Sequence, residues 1–339
     1  MPSHTDPDDP VLTLRALVGA GRFQDALALY RSLAGSPADA RPDVRLFAAT
    51  AATRLGDLDL ASELAGPALQ RFGARGDRDG VMRARNLLGA INFERGRLSQ
   101  AAEDFADALR LAGQLEDRLM LARAANNLAS VAHLRGQGAE AAALYRGAIL
   151  AYQRLGDRRG TAETYHNLGL VYRQMGDLHQ AEDATGEAMR HAEVVGERGL
   201  LALAATGRAE LMVDRADLPQ AWQELERAGR WAVEADDEIG AAEVGRVRAL
   251  AAYRAGDLAR ALDHADAARL VARAYDSALL ASECSALAAL ALKRLGRAAE
   301  ADERRAEAEA GFRSLGAVRL LERLTEDWRA TPARHSRRV

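Results

Sequence analysis

The chain has 339 residues and a net charge of −3, from 46 basic against 49 acidic side chains. Charged residues at 28% and apolar residues at 48% describe a folded globular chain and exclude a disordered one. The near-neutral balance argues against a dedicated nucleic-acid binder, which needs a basic stripe to neutralise phosphates, and 5% aromatics are too few for a large base- or sugar-stacking surface. Alanine supplies 75 residues and Lys293 is the only lysine, a bias that points to a GC-rich bacterial coding sequence. The single cysteine, Cys284, has no internal disulfide partner, and no Cys/His cluster suggests a zinc or iron–sulfur site. No apolar run reaches bilayer length, and the start MPSHTDPDDP lacks the basic and apolar parts of a secretion signal. The expectation is a cytoplasmic protein with no membrane partner and no cofactor.

In chain order, residues 1–10 read as a disordered acidic tail. A repeat then fills residues 11–314. Its turn residues are Gly21, Gly56, Gly96, Gly136, Gly176, Ala216, Gly256 and Gly296, one step of 35 followed by steps of 40. Five residues after every turn stands an alanine, from Ala26 and Ala61 through Ala301. Twelve after it stand Ala68, Ala108, Ala148, Ala188, Ala228, Ala268 and Ala308, with Leu33 the exception. Seven before it stand Ala49, Gly89, Ala129, Gly169, Ala209, Ala249 and Ala289. Offsets of five and twelve differ by two helical turns, so both alanines share one face. Each unit is therefore a helix–turn–helix hairpin whose small residues let its helices approach closely.

Asp57, Asp177, Asp217 and Asp257 follow the turn as N-caps for the second helix, and Asp77, Asp117, Asp157, Glu197 and Asp237 suit the start of the next first helix. Repeat 1 begins near Val11 and is followed by a Pro-rich linker, residues 36–43. Pro67 falls inside the second helix of repeat 2, where it should kink or end it. Pro219 falls in a first turn, where Pro is tolerated. Residues 315–330 read as a terminal helix with Val318, Leu320, Leu321, Leu324 and Trp328 on its apolar side. Its charged residues Arg319, Glu322, Arg323 and Glu326 read as a solvating cap. Residues 331–339 read as a basic disordered tail.

The units resemble the tetratricopeptide repeat (TPR) in its forty-residue form. TYHNLGLVYRQMGDLHQAEDATGEAM, residues 164–189, carries Asn167-Leu168-Gly169, Tyr172, Gly176-Asp177, Ala181 and Ala188 at the family's positions. The unit at residues 125–149 adds Tyr145, and its Asn126-Asn127-Leu128-Ala129 is similar to a string in kinesin light chains. Similar arrays occur in bacterial peptide-sensing regulators and beside ATPase modules of large transcription activators. The resemblance implies an all-α, right-handed TPR-type α-solenoid of about eight hairpins plus a capping helix. It further implies that the first helix of each hairpin lines a concave wall.

No Walker loop, HExxH, GxSxG or GxGxxG motif is present. The histidines are scattered, and Asp236-Asp237 is better explained by capping than by acid–base chemistry. The chain therefore reads as non-enzymatic; an enzyme on this scaffold would need polar groups converging in a cleft. An RNA-reading array is disfavoured by the charge balance. Projected on the inner wall, Arg83, Asn86, Arg123, Asn126, His133, His166, Arg173, Arg246 and Tyr253 are candidate partner-binding residues. Asn86, Asn126 and His166 stand at equal spacing. An Asn amide both donates and accepts, so such a row can bond an extended backbone, a role the family resemblance carries to Asn86 and Asn126. Arg83, Arg123 and Arg173 favour an acidic segment or a C-terminal carboxylate. The expected function is a scaffold or adaptor binding a peptide or protein segment. The alternative is a peptide-responsive regulator whose pitch changes on binding. With only about ten residues ahead of repeat 1, such a regulator would act on a separate protein.

Overall fold

The computed structural model describes residues 9–331, and seventeen helices fill them with no strand among the described residues. The chain divides into two compact units, Met1–Leu128 and Ala129–Val339. Unit 1 holds α1 (Pro10–Gly19), α2 (Phe23–Ser32), α3 (Pro42–Arg54), α4 (Leu58–Ala74), α5 (Arg78–Glu94), α6 (Leu98–Leu115) and the first part of α7 (Arg118–Leu134). Unit 2 continues from within α7 through α8 (Gly138–Leu155), α9 (Arg158–Met175), α10 (Leu178–Val195), α11 (Arg198–Asp214) and α12 (Leu218–Glu234). It ends with α13 (Glu238–Ala255), α14 (Leu258–Ala274), α15 (Ala278–Leu295), α16 (Ala298–Ser314) and α17 (Val318–Ala330). None of the described helices is long and apolar enough to cross a membrane.

The turns obey a rule tighter than the forty-residue repeat. From Gly56 to Gly316, every twentieth residue has a positive φ, between 54° and 83°. Hairpin turns and inter-repeat turns therefore share one geometry, and glycine fills most of them because it enters the left-handed region without a Cβ clash. Each is the left-handed C-cap of a helix, and the next residue's N–H returns to the carbonyl five residues back, as in Asp57→Ala52, Asp157→Tyr152 and Asp177→Tyr172 at 3.0 Å. At eight of these fourteen turns the following helix starts on an aspartate. Asp57, Asp77, Asp117, Asp157, Asp177, Asp217, Asp237 and Asp257 each accept from the N–H three residues on. Glu197 makes no such bond, since its extra methylene carries the carboxylate past the N–H.

The alanines at all three offsets are buried, most of them with no exposed surface. Where glycine replaces alanine the helices sit closer still. A Cβ on Gly89 would lie 2.6 Å from the ring of Phe105, and one on Gly169 2.8 Å from Cγ2 of Thr185. Within each unit, odd-numbered helices touch successive odd-numbered helices: α1–α3–α5 in unit 1, α9–α11–α13–α15–α17 in unit 2. Among the described residues α10, α12, α14 and α16 do not touch one another. Each unit thus has an inner layer of first helices and an outer layer of splayed second helices.

Three expectations need correction. α4 runs unbroken through Pro67. The carbonyl that loses its donor belongs to exposed Glu63, where water can take the bond, while Leu64, Ala65 and Ala68 hold the helix to its neighbours. Pro42 opens α3 as its first residue and Pro10 opens α1, both at the helix start where the missing N–H costs nothing. Thr331, assigned to the disordered tail, is buried. The rest of that tail and residues 1–8 lie outside the described residues.

Ala216 occupies a left-handed turn at φ 62°. Replacing it with glycine should stabilise the fold by about 0.5–1 kcal/mol, and Gly176→Ala should destabilise it by about 1–2 kcal/mol. Urea unfolding monitored by circular dichroism reads both; shifts of the same sign would contradict the shared turn geometry.

Candidate functional site

On the inner helices of unit 1, Arg83 sits between Asp79 (Nε–Oδ2 2.9 Å) and Asp43 of α3 (Nη2–Oδ1 3.3 Å), 5.8 Å from the Phe72 ring centre. Asn86 accepts from Nδ2 of Asn127 at 3.2 Å, so the side chain that reaches it is the neighbour of Asn126. Asn126 is half-buried and Arg123 is exposed. On the opposite face of α5, toward α6, buried Asp104 accepts from Arg85 at 2.7 Å and Asn92 at 3.0 Å. Both faces of α5 thus carry paired amides or ions, while Arg123 of α7 is exposed.

In unit 2 the inner helices converge on a residue that sequence reasoning passed over. Glu210 of α11 is 2% exposed and takes Arg173 (Nη2–Oε1 3.0 Å) from α9 and Arg246 (Nη1–Oε1 2.8 Å, Nη2–Oε2 3.3 Å) from α13. Arg173 also holds Asp214 at 2.9 Å, and Arg246 holds Glu243 at 2.9 Å and lies 3.8 Å from Glu283 of α15. The two arginines hold the Glu210 carboxyl well below the usual carboxylate range, outweighing its burial. Burial and the nearby carboxylates of Glu243 and Glu210 push Glu283 up to about 7, against the pull of Arg246. The signal for Glu210 was available. From the second repeat on, the residues six before the turn read Thr50, Ala90, Ser130, Leu170, Glu210, Leu250, Leu290, and Glu210 is the only charge among them, Arg15 of the short first repeat standing apart.

Arg173 and Arg246, expected as open cations, are therefore spent on internal carboxylates and only 14% and 12% exposed. His166 is buried with Nδ1 unpaired; a Cβ on Gly207 would lie 2.7 Å from that nitrogen, so Gly207 makes room for the ring. Burial holds His166 at about 4, and burial with the Arg173 charge holds His133 at about 4, so both rings are neutral near pH 7. Tyr253 is engaged as well, its hydroxyl 3.2 Å from Oγ1 of Thr331.

That last contact belongs to α17, which lies on the inner layer of unit 2. Leu324 is buried in a cluster with Phe312 and Leu315, against which Leu134 of α7 and Leu279 and Ala286 of α15 also pack. A Cβ on Gly136 would lie 3.5 Å from Cβ of Arg319. Lys293 donates to the Trp328 carbonyl and stands 4.5 Å from its ring, with Arg305 4.8 Å from the same ring. The charge of Arg323 acts on Glu210. Arg319 and Arg323 themselves pair along α17, with Glu322 at 3.1 Å and Asp327 at 3.7 Å, and stay 43% and 40% exposed. Cys284 is fully buried, with its thiol pushed up to about 12 by burial, an unreactive core residue. On the outer layer, Ile149, Leu150, Tyr165, Leu168 and Tyr172 line a cleft of about 380 Å³ rimmed by Arg146, Asp183 and Glu187.

Two ionisations give opposite pH dependences. Glu283 keeps its proton in the folded chain above 4.5, so its contribution to stability falls as pH rises from about 4.5 to about 7. Glu210 releases its proton more readily in the folded chain, so its contribution is complete above the ordinary carboxylate range and is lost in acid. Glu283→Gln should leave the melting temperature unchanged near pH 4.5 and raise it at pH 8. Glu210→Gln, which leaves Arg173 to Asp214 and Arg246 to Glu243, should cost about 3 kcal/mol at pH 7. Melting curves of both variants across that range check the pair; a Glu283→Gln difference that does not grow with pH would refute the assignment.

A sequence model of the tetratricopeptide repeat matches residues 120–194. No curated protein sequence matches the chain. Among solved structures, a Rap protein complexed with Competence and Sporulation Factor aligns with a TM-score of 0.72 at 14% identity, covering 94% of this chain and 86% of that one. A Rap conjugation gene regulator of a plasmid, in complex with the Phr peptide, aligns with a TM-score of 0.64 at 16% identity over 87% and 77% of the two chains. Aspartyl phosphate phosphatase F from Bacillus subtilis aligns with a TM-score of 0.56 at 12% identity over 95% and 92%. With the phased hairpins and small-residue contacts described above, these likenesses identify the chain's fold as an all-α, TPR-type array of helical hairpins.

Proposed function

We propose that the chain is a non-enzymatic, cytoplasmic interaction module that holds a peptide or protein segment on its inner helices. The observation that carries this reading is α17 itself. The inner layer of unit 2 seats an amphipathic helix on an apolar strip beside a buried ionic centre. Such a surface has the requirements for helix-in-groove recognition, which are apolar anchors along one stripe and a few fixed polar groups. The complexes with Competence and Sporulation Factor and with the Phr peptide support the same class of ligand for this fold. Arg83, Asn86, Arg123 and Asn126 are the candidate contacts on unit 1, with exposed Arg123 the one suited to an acidic group. On unit 2, His133, His166, Arg173, Arg246 and Tyr253 build the surface. Of these, Arg173 and Arg246 fix Glu210 instead of meeting a ligand's carboxylate.

The second reading, a peptide-responsive regulator, is favoured by one observation. α17 is held by Leu134, Tyr253 and Lys293, which come from three different helices. A ligand that moves those helices relative to one another changes the seat of α17, which gives binding a structural output.

The test is capture of partners from the source cell with mass spectrometry, followed by titration of the recovered segment. Micromolar affinity, a fall of about fivefold in Asn86→Ala/Asn126→Ala, and a salt-sensitive fall in Arg123→Ala are the expected results. Unchanged affinity in both variants would move the site off unit 1. Turnover of an acyl phosphate by the purified chain, the chemistry named for one structural neighbour, would overturn the non-enzymatic reading.

A further inference from the structure

We propose that the surface beneath α17 is a docking site for an amphipathic helix of a partner protein that ends on an aromatic residue, and that α17 keeps this site closed in cis. The inference rests on the interaction-module reading and gives its ligand a chemistry.

The reach of α17 is the first ground. A helix that only covered the end of the array would need α15 and α16. α17 also meets Leu134 at the end of α7, the turn at Gly136, and Tyr253 of α13. It therefore lies across the inner layer of unit 2, where a ligand of this fold would lie.

The shallowness of its seat is the second. Of the thirteen residues of α17, Leu324 is the one that is buried, whereas α15 buries nine. Val318 is 51% exposed. An end element with a single buried anchor opens at a small fraction of the global unfolding free energy.

The third ground is the far end of the seat. Lys293 donates to the Trp328 carbonyl, the negative end of the helix dipole, and stands 4.5 Å from the face of the same indole, with Arg305 4.8 Å from it. Two cations set there favour a helix that ends on an aromatic. The partner is accordingly a helix with leucines at the positions of Leu320, Leu321 and Leu324 and an aromatic at that of Trp328.

A fluorescent peptide of residues 316–331 tests this by anisotropy against the full chain. Trp328→Ala and Leu324→Asp loosen the internal helix, so both variants should bind the peptide at least tenfold more tightly than the wild-type chain. A peptide with Trp328→Ala should lose that gain. Trp328 is only half-buried, so Trp328→Ala keeps the test valid where Leu324→Asp unfolds; circular dichroism checks both. Equal affinity for wild type and a folded Trp328→Ala variant, or no binding to that variant, would overturn the proposal. So would a wild-type dimer in sedimentation whose dissociation follows Trp328→Ala, since α17 would then serve a second copy. A captured partner segment with the same affinity for wild type and Trp328→Ala would overturn closure by α17 and leave the interaction module standing. Failure to find any segment that binds either chain would overturn both.

Discussion

Two helices come into backbone proximity only where nothing larger than a methyl group stands between them. This chain meets that condition at phased positions along its length, with Ala61, Ala101, Ala141, Ala181 and Ala221 all without exposed surface. Overpacking such a contact forces side chains off their rotamers and helices apart. The left-handed residue at every twentieth position fixes where each helix stops, and at eight of these turns the aspartate after it fixes where the next begins. Turn and contact are thus one constraint. If a helix overran its stop by a residue, its small face would rotate by about 100° away from its neighbour.

Close packing of the inner layer has an electrostatic consequence. First helices that touch bring the polar residues of their shared face together, and in unit 2 those residues are ionic. Glu210 is tolerable at 2% exposure because two guanidiniums from adjacent helices meet it, each held by a further carboxylate. Buried ion pairs add little net stability over apolar packing, but removing one member leaves the others unpaired. The network therefore acts as a register device, since α9, α11 and α13 can only assemble with Arg173, Glu210 and Arg246 at one level. The neutral state of His166 belongs to the same arrangement. Its ring lies against Gly207 on the helix that carries Glu210, where burial keeps the proton off against the pull of the Glu210 charge.

The repeat made the hairpins, their phase and most of their caps readable from residue types alone, because each follows from spacing on a helix. Pro67 misled because local propensity argued for a break that neighbouring burial overrides. The inner wall was less legible for a related reason. Offsets identify which residues share a face, but not which residue on the next helix stands opposite. Arg173 and Arg246 were read as open cations because their partners lie 37 and 36 positions away, at a different offset. Glu210 was overlooked as the lone charge in an apolar row, although an isolated charge in such a row has to find a partner. Arg319, Glu322, Arg323 and Asp327 pair along α17 and stay at least 40% exposed, as a solvated face does, whereas its apolar side reaches Leu134 and its end reaches Lys293, partners that spacing does not name.

An array stabilised by neighbour contacts is normally indifferent to what happens several repeats away. α17 is an exception within unit 2. With Thr331, which follows it, α17 links the end of α7, the last turn of α13 and α15 by contacts that skip the intervening helices, so opening of any one of them is felt at the others. Its single buried leucine makes that linkage weak enough to be broken without unfolding the hairpins, and its position makes the break informative. A segment that wins the inner face must first displace α17, and displacement releases three distant helices at once. Binding and shape are then coupled by competition for one surface, and that coupling needs neither a hinge nor a second domain.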